Sequence, residues 1–136
     1  KFLEQNGYTI NFEYDTHIFV EADEFKIYQV IYNLVNNAIN YTGDDKKIVV
    51  RQRVNGSIAR IEVIDSGEGI AKEELANVWE RYYKVDKNHK RAVMGTGLGL
   101  SIVKNVLKLH KLQFGVESEV GKGTCFWFEI SIIIRS

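Results

Sequence analysis

Polar and hydrophobic residues alternate from Tyr8 to Tyr14, which is the pattern of a half-buried β-strand. A helical pattern follows. Asp23 is suited to cap its N-terminus, and its apolar periodicity continues to about Thr42, with Gly43 as the stop. The first part of the chain therefore predicts a strand and then a long amphipathic helix.

The middle of the chain predicts a hairpin and a shorter helix. Strand patterns at Ile48–Val54 and Ile58–Asp65 flank Asn55-Gly56, a strong signal for a two-residue hairpin loop. Residues 71–82 then predict a short helix, whose early acidic residues suit the positive end of a helix dipole.

The last third of the chain predicts a loop, a helix and a closing hairpin. Residues 84–94 are basic and without periodicity, a helix is predicted from about Gly97 to about His110, and strands are predicted at 113–118 and 124–134. Helices and strands are mixed without strict alternation. We therefore predict one α+β domain over residues 1–136, a two-layer sandwich and not a doubly wound parallel sheet.

The composition narrows the classes of function. At 136 residues, with 45% hydrophobic and 26% charged residues, the chain resembles one ordinary globular domain. Its 18 basic and 18 acidic residues cancel, so no overall field favours nucleic acid or an anionic membrane. The single cysteine, Cys125, is expected to be a buried, inert thiol in a reducing compartment. We interpret the chain, which does not begin with methionine, as a fragment of a longer protein.

One face of the long helix carries a stripe of amides. At about 100° per residue, this face holds Gln29, Asn33, Asn37 and Asn40, with Asn36 at its edge. The opposite, packing face is predicted to hold Ile27, Ile31, Leu34, Val35 and Ala38. Asparagine is a poor helix former, so the four asparagines cost about 2 kcal/mol relative to alanine. Two interpretations stay open: a solvated face, or amide oxygens that serve Mg²⁺ and phosphate as hard, neutral ligands.

Two glycine-bearing runs follow. Asp65-Ser66-Gly67-Glu68-Gly69 is either a simple turn or an adenine contact, in which Asp65 accepts a hydrogen bond from the exocyclic amine. Gly95-Thr96-Gly97-Leu98-Gly99-Leu100 leads into a helix whose N-terminus can bind phosphate oxygens. It is not a P-loop, because no Lys-Ser/Thr pair follows, and it is not a dinucleotide fingerprint, because no strand precedes it. The upstream basic residues could close over a triphosphate: Lys84, Lys87, Lys90 and Arg91.

The order of these motifs resembles that of one family. An Asn-rich helix, Asp-x-Gly-x-Gly, the aromatic run Glu-Arg-Tyr-Tyr-Lys-Val-Asp, Gly-Thr-Gly-Leu-Gly-Leu and Gly-Lys-Gly-Thr are together similar to the ATP-binding catalytic domain of sensor histidine kinases. This domain shares the wider fold of gyrase B, Hsp90 and MutL, and the resemblance covers the chain from about Tyr8 to Ile132. It implies a mixed, mainly antiparallel sheet covered by helices on one face, an ATP lid, and ATP with Mg²⁺ as cofactors.

The resemblance also implies roles for individual residues. Asn37 matches an asparagine that binds Mg²⁺, and Asp65 matches an aspartate that binds adenine. Asn33 stands where hydrolytic relatives have a glutamate base, and an amide cannot activate water in this way, which favours phosphoryl transfer over hydrolysis. The catalytic candidates are Asn33 and Arg81. The implied nucleotide-binding residues are Asn33, Asn37, Asn40, Tyr41, Asp65, Gly67, Gly69, Ile70, Tyr83, Lys84, Gly95, Thr96, Gly97, Leu98, Gly99, Leu100 and Thr124.

Three positions depart from the family pattern. Asn40 stands where a lysine or arginine is common, and Lys84 offers a point charge in place of the planar fork of an arginine. The segment 110–112 lacks a glycine pair. The cation that stabilises the γ-phosphate is therefore left open, with the basic lid residues as candidates. None of the histidines has the sequence context of a phosphoacceptor, so we interpret all three as structural or solvated: His17, His89 and His110.

The predicted function is that of an ATP- and Mg²⁺-binding catalytic domain of a sensor histidine kinase. It would pass the γ-phosphoryl group to a histidine on a separate dimerisation domain of the same protein, for relay to the receiver-domain aspartate of a response regulator. The resemblance implies a homodimeric parent protein anchored in the bacterial membrane, with this domain in the cytoplasm. The balanced charge predicts no nucleic-acid partner. Two alternatives stay open: an ATP-hydrolysing relative of the same fold, and a non-catalytic nucleotide- or protein-binding module.

Overall fold

A five-stranded sheet forms the base of the structure, a computed structural model that describes residues 7–14, 18, 20–79 and 99–133. The elements in chain order are β1 (Thr9–Glu13), α1 (Glu24–Tyr41), β2 (Lys47–Asn55), β3 (Ile58–Asp65), a 3₁₀ helix (Lys72–Asn77), α2 (Gly99–Leu109), β4 (Gln113–Glu119) and β5 (Gly123–Ser131). The strand order is β1-β2-β3-β5-β4; β1 and β2 are parallel and the other pairs antiparallel. This arrangement confirms the predicted α+β fold with a mixed, mainly antiparallel sheet.

The long helix α1 begins and ends where its capping residues predict. Oδ1 of Asp23 accepts the backbone N–H of Lys26 at 3.1 Å, which satisfies a donor that has no partner within the helix. At the other end, the N–H of Thr42 donates to the carbonyl oxygen of Ala38 at 2.7 Å. The helix therefore stops before Gly43, as the sequence indicates.

The packing face of α1 is rotated relative to the predicted one. Val30 and Ile39 are buried although neither was expected there, whereas half-burial is found for Ile27, Ile31 and Val35. The reason is that α1 packs against α2 as well as against the sheet, so its most buried side lies between these two neighbours. The face turned to solvent carries aromatic rings: Phe25, Tyr28 and Tyr32.

The predicted hairpins form, with small shifts. Asn55 pairs with Ile58, so the first loop consists of residues 56 and 57, one position later than predicted. Gly56 takes up the left-handed conformation, with φ of 64°, that a tight hairpin requires. The closing hairpin joins β4 to β5 through the pair Glu119 and Gly123.

The predicted helix over 71–82 is shorter and tighter than expected. The structure has a 3₁₀ helix at Lys72–Asn77, followed by a turn in which Val78 is buried. Trp79 then packs edge-to-face on Phe114 and Phe126, with ring centroids 5.1 and 5.3 Å away. This contact draws the chain toward the sheet, and residues 80–82 lie outside the described part of the chain.

The hydrophobic core lies between the helices and one face of the sheet. Val63 of β3 and Phe126 and Phe128 of β5 meet Val103 and Leu107 of α2 in this layer. In the described residues the other face of the sheet has no helix over it and carries charged side chains, so the domain has two layers. None of the described helices has the length and apolarity needed to cross a membrane.

Candidate nucleotide-binding site

A buried polar pair lies where β3 ends. Asp65, the last residue of β3, is 5% exposed, and its Oδ1 accepts the N–H of Gly67 at 2.8 Å. Thr124 of β5 is its partner across the sheet and is 7% exposed. Asp65 lies two residues after the core residue Val63, and Thr124 lies two residues before the core residue Phe126. Because alternate residues of a strand point to the same face, both side chains point to the helix-covered face, with Cβ atoms about 5 Å apart. A carboxylate and a hydroxyl therefore form one buried edge.

The turn after Asp65 is held closely on both sides. A Cβ on Gly67 would lie 1.8 Å from the backbone oxygen of Tyr41, and a Cβ on Gly69 would lie 2.2 Å from that of Glu119. Gly69 also has a φ of +80°. A side chain at either position would push the turn away from α1 or from the β4–β5 hairpin. Gly67 and Gly69, which were predicted to let the backbone approach a base, therefore also allow this turn to pack closely against α1 and the β4–β5 hairpin.

A first hydroxyl cluster ties the turn to the end of α1. Oγ1 of Thr42 donates to the carbonyl oxygen of Lys47 at 2.8 Å and accepts the N–H of Ser66 at 3.3 Å. Oγ of Ser66 in turn donates to Oδ1 of Asp45 at 2.6 Å. This network fixes the backbone that carries Asp65 relative to the amide stripe of α1.

A second cluster, centred on Ser118, ties the turn to the closing hairpin. Oγ of Ser118 accepts the N–H of Ile70 at 2.7 Å and donates to the carbonyl oxygen of Gly123 at 2.8 Å. The same atom lies 2.8 Å from Oγ1 of Thr124. Ser118 was not among the residues predicted from the sequence. The sequence feature that could have indicated it is a polar residue at the inward-facing position of β4 that follows Phe114 and Val116 in the alternating pattern.

The amide stripe of α1 is not a fully solvated face. Asn33, Asn36 and Asn37 are half-buried, and Asn40 is buried at 7% exposure. A Cβ on Gly99 would lie 3.7 Å from Oδ1 of Asn33, so the first turn of α2 lies beside the stripe. The first N–H groups of a helix have no partner within it, and they carry a partial positive charge. Amide oxygens and a positive helix end therefore share one region.

The donors in this region fit a magnesium ion. In residues 7–14, 18, 20–79 and 99–133, no three His, Cys, Asp or Glu side chains cluster as metal ligands. Asn33 and Asn37 are one helical turn apart on the same face of α1, and their amide oxygens are hard and neutral. Such oxygens suit an ion that keeps several waters and is shared with phosphate groups.

Several predicted residues lie outside the described part of the chain, and with them the predicted basic lid: Arg81, Tyr83, Lys84, Gly95, Thr96, Gly97 and Leu98. Leu100, in the first turn of α2, packs against the core. Of the histidines, His17 and His89 also lie outside the described residues. Nε2 of His110 accepts the N–H of Asp23 at 3.4 Å, and its Nδ1 is 2.9 Å from the carbonyl oxygen of Val106, so His110 links α2 to α1.

Cys125 lies away from the site, on the open face of the sheet. It is half-buried, not fully buried as expected. Burial, together with the negative charge of Glu62, raises the pKa of its thiol to about 12. Sγ of Cys125 lies 3.8 Å from Oε2 of Glu62, to which it donates a weak hydrogen bond. The thiol is therefore protonated at neutral pH, in agreement with the predicted inert role.

Residues 22–133 match the profile of the family described as histidine kinase-, DNA gyrase B- and HSP90-like ATPases. The chain belongs to this family. The match spans the amide stripe, the Asp65 turn and the closing hairpin, and it confirms the resemblance found in the sequence.

Curated relatives of this ATPase-family domain are sensor proteins. Drug sensory protein A of Synechocystis is 41% identical over an alignment of 114 residues, with coverage of 76% of this chain and 17% of that protein. The sensor-like histidine kinase SenX3 of Mycolicibacterium smegmatis is 40% identical over 82% of this chain and 29% of its own length. The sensor histidine kinase WalK of Bacillus subtilis is 36% identical over 85% of this chain and 19% of its own length. The chain thus spans less than a third of each of these relatives.

Solved structures show the same fold. The nucleotide-free catalytic domain of histidine kinase ThkA matches with a TM-score of 0.79 and 30% identity, over 95% of this chain and 82% of that one. Full-length ShkA in complex with AMPPNP matches with a TM-score of 0.78 and 26% identity, over 98% of this chain and 27% of that one.

Proposed function

We propose that this domain binds ATP with Mg²⁺ and donates the γ-phosphoryl group to a histidine on a separate dimerisation domain of its parent protein. The observation that carries the proposal is that Asp65, the amide stripe and the start of α2 all lie at the helix-covered face of the sheet. Family membership and the naming of two curated relatives as histidine kinases support it. The AMPPNP bound to full-length ShkA supports the nucleotide part.

Asp65 would select the base. Its carboxylate can accept a hydrogen bond from the exocyclic amine of adenine, whereas guanine would present a carbonyl oxygen to the same atoms. Ile70 packs against the core beside the turn, and Tyr41 ends α1 next to Gly67. The base would therefore enter between an apolar wall and a buried carboxylate, the usual make-up of a small-molecule site.

The phosphates would lie toward the amide stripe and the N-terminus of α2. N–H groups in the first turn of a helix have no partner within that helix, and at the start of α2 they suit phosphate oxygens. Asn37, with Asn33 one turn earlier, would hold Mg²⁺, which when bound neutralises part of the phosphate charge. Phosphoryl transfer depends mainly on positioning and charge neutralisation. Because Asn33 is not a carboxylate base, we expect transfer and not rapid hydrolysis.

The parent protein would be a homodimeric, membrane-anchored sensor kinase, with this domain in the cytoplasm. A histidine of the dimerisation domain would accept the phosphoryl group and pass it to the receiver domain of a response regulator. Arg81 and the basic residues predicted for the lid are the candidates for stabilising the γ-phosphate during transfer.

Calorimetry with ADP tests the nucleotide site. The wild-type chain should bind ADP, and Asp65→Asn should bind it about 10- to 100-fold more weakly, as expected for losing a hydrogen bond to a charged group. Asn can still accept the N–H of Gly67 through its amide oxygen, so the turn should survive, and circular dichroism checks this. An unchanged affinity in a folded variant would remove Asp65 from the base site.

A reconstitution assay tests the reaction. The chain is mixed with γ-labelled ATP, Mg²⁺ and a separately prepared histidine-bearing dimerisation domain of a sensor kinase. We expect label on the added domain and little free phosphate. Rapid phosphate release by the chain alone would favour the hydrolytic alternative, and failure to bind ADP or ATP would favour the non-catalytic module.

A further inference from the structure

We propose that Ser118 is a positioning residue that fixes the direction of the Thr124 hydroxyl, so that the edge formed by Asp65 and Thr124 only accepts hydrogen bonds. The inference rests on the proposed function, because it concerns how that site tells a 6-amino purine from a 6-oxo purine. It assigns a role to Ser118 that no motif in the sequence indicates.

Oγ of Ser118 has three hydrogen-bonding neighbours, and only one arrangement of protons satisfies all of them. A serine hydroxyl has one proton and two lone pairs. The N–H of Ile70, at 2.7 Å, can only donate to it, and the carbonyl oxygen of Gly123, at 2.8 Å, can only accept from it. One lone pair therefore takes the Ile70 proton, and the hydroxyl proton goes to Gly123. The last contact, Oγ1 of Thr124 at 2.8 Å, must then be a donation from Thr124 to Ser118.

This arrangement of protons determines what the buried edge of Asp65 and Thr124 offers to a ligand. Thr124 has one hydroxyl proton, and Ser118 takes it, so Oγ1 of Thr124 has only lone pairs to offer a ligand. An ionised Asp65, its partner across the sheet, likewise has only acceptor oxygens. The buried edge thus presents oxygens and no donor. An amino group with two protons matches this edge, whereas a carbonyl oxygen meets lone pairs.

The backbone register keeps this arrangement in place. Ser118 and Thr124 are direct partners in the β4–β5 hairpin, so their side chains lie on the same face. A Cβ on Gly123 would lie 2.1 Å from the backbone oxygen of Asp65, which shows how closely the hairpin approaches β3. The inward positions before Ser118 in β4 are apolar, and a hydroxyl there is tolerated because all of its hydrogen-bonding capacity is used.

The test compares the affinities of ADP and IDP, which differ in the 6-amino and 6-oxo groups, by calorimetry. Ser118→Ala leaves the Thr124 hydroxyl free to turn its proton toward the ligand. We expect the preference for ADP over IDP to fall about tenfold, the scale of one hydrogen bond, with ADP binding more weakly and IDP more tightly. A purely structural role would weaken both nucleotides equally, and that result would overturn the proposal.

Two further variants keep the proposal testable. Thr124→Val should reduce the ADP preference in the wild-type background but have little further effect on top of Ser118→Ala; additive effects would contradict the coupling. If Ser118→Ala does not fold, Ser118→Cys, with a weaker donor and acceptor, should shift the preference in the same direction by a smaller factor. An unchanged preference in folded Ser118→Cys would also overturn the proposal. Failure of the proposed function looks different, because the wild-type chain would then bind neither nucleotide.

Discussion

At the scale of residues, the metal part of the proposed function depends on Asn37. Asn37→Ala removes an amide oxygen from the stripe beside α2 and introduces a better helix former, so the helix itself should not suffer. We expect ADP affinity in Mg²⁺ to fall about tenfold or more, as for the loss of even an outer-shell partner of a metal site. Affinity measured with a chelator should change little. Calorimetry with and without Mg²⁺ makes the comparison.

Asn36→Ala is the matched control for that experiment. Asn36 is the adjacent residue, carries the same side chain and is also half-buried, but it points about 100° away around the helix. It should leave the effect of Mg²⁺ intact. Equal losses with and without the metal in Asn37→Ala would take Asn37 out of the metal site.

The Cys125 thiol should react slowly in the native protein. Its pKa is raised from 9.0 to about 12, so near pH 8 the native chain holds far less thiolate than the unfolded chain. We expect iodoacetamide to alkylate native Cys125 about 100-fold or more slowly than the chain in urea, followed by mass spectrometry. Similar rates in the two states would show that the thiol is not protected.

The same shift has a consequence for stability. A raised pKa means that the folded state keeps the thiol proton when the unfolded state has lost it. This contribution to the free energy of unfolding is fully present below about pH 9 and is lost progressively as the pH rises toward about 12. Replacing Cys125 with Ala, which has no proton to lose, should flatten that alkaline decline in urea denaturation.

At the scale of elements, alanine substitutions at two glycines distinguish the cost of backbone strain from the cost of a steric clash. Gly69 and Gly121 have similar positive φ angles, +80° and +87°, but only Gly69 has neighbouring atoms where a Cβ would lie. Gly121→Ala should cost about 1–2 kcal/mol of unfolding free energy from strain alone. Gly69→Ala should cost about 1–3 kcal/mol more from overpacking and should also weaken ADP binding, because the turn that carries Asp65 must move. Equal costs in urea denaturation would contradict this assignment.

Element boundaries could be predicted where the deciding residues are local. Asp23 caps the start of α1, Thr42 caps its end just before the predicted stop at Gly43, and the Asn55-Gly56 pair marks a hairpin to within one position. The 3₁₀ helix was missed because its end depends on Trp79 packing against two strands that follow much later in the chain. The rotated buried face of α1 was missed for the same reason, since α1 also packs against α2, which follows much later in the chain.

Several residues of the candidate site could be predicted from the sequence, but the strand pairing and hydrogen bonds that join them could not. Asp65 and Thr124 were both candidates from the motifs, but their direct pairing exists only because β5 inserts between β3 and β4. Ser118 was missed because its role depends on strand register and on three simultaneous hydrogen bonds. A period of two predicts that Ser118 points inward, but not what it touches there.

At the scale of the whole molecule, the two faces of the sheet have different roles. One face is covered by helices and holds the candidate site. The open face carries Glu62, whose side chain is 7% exposed and lies 3.7, 3.3 and 3.2 Å from Arg51, Arg53 and Arg60. The guanidinium of Arg60 also stacks 4.1 Å from the centre of the Trp127 ring. Within the described residues, this layer of charges and one aromatic ring suits a face of a mainly antiparallel sheet that is in contact with water.

The pKa values of two arginines reflect this layer. A hydrogen bond to Glu13 at 2.8 Å is the main cause that raises the pKa of Arg51, and Glu62 adds to it. For Arg60, burial acts to lower the pKa, but hydrogen bonds to Glu62 and Glu117 outweigh it, so the pKa is raised. Both guanidinium groups are therefore charged in the folded protein, and the carboxylate of Glu62 lies within 4 Å of each.

Because the open face of the sheet is separate from the helix-covered face, we expect substitutions on the open face to change the free energy of unfolding without changing ADP affinity. Glu62→Gln leaves three arginines around a neutral amide. Breaking a fully buried ion pair costs about 3–5 kcal/mol of unfolding free energy. Because these arginines are partly exposed, we expect a smaller loss of about 1–3 kcal/mol. Glu117→Gln is the control, because Glu117 contacts Arg60 at 3.2 Å but its side chain is 67% exposed, so its loss should stay below about 1 kcal/mol. In the folded state both variants should bind ADP like the wild type, since neither side chain lies on the helix-covered face. Urea denaturation and calorimetry would contradict this if Glu62→Gln were as stable as Glu117→Gln, or if it weakened ADP binding while folded.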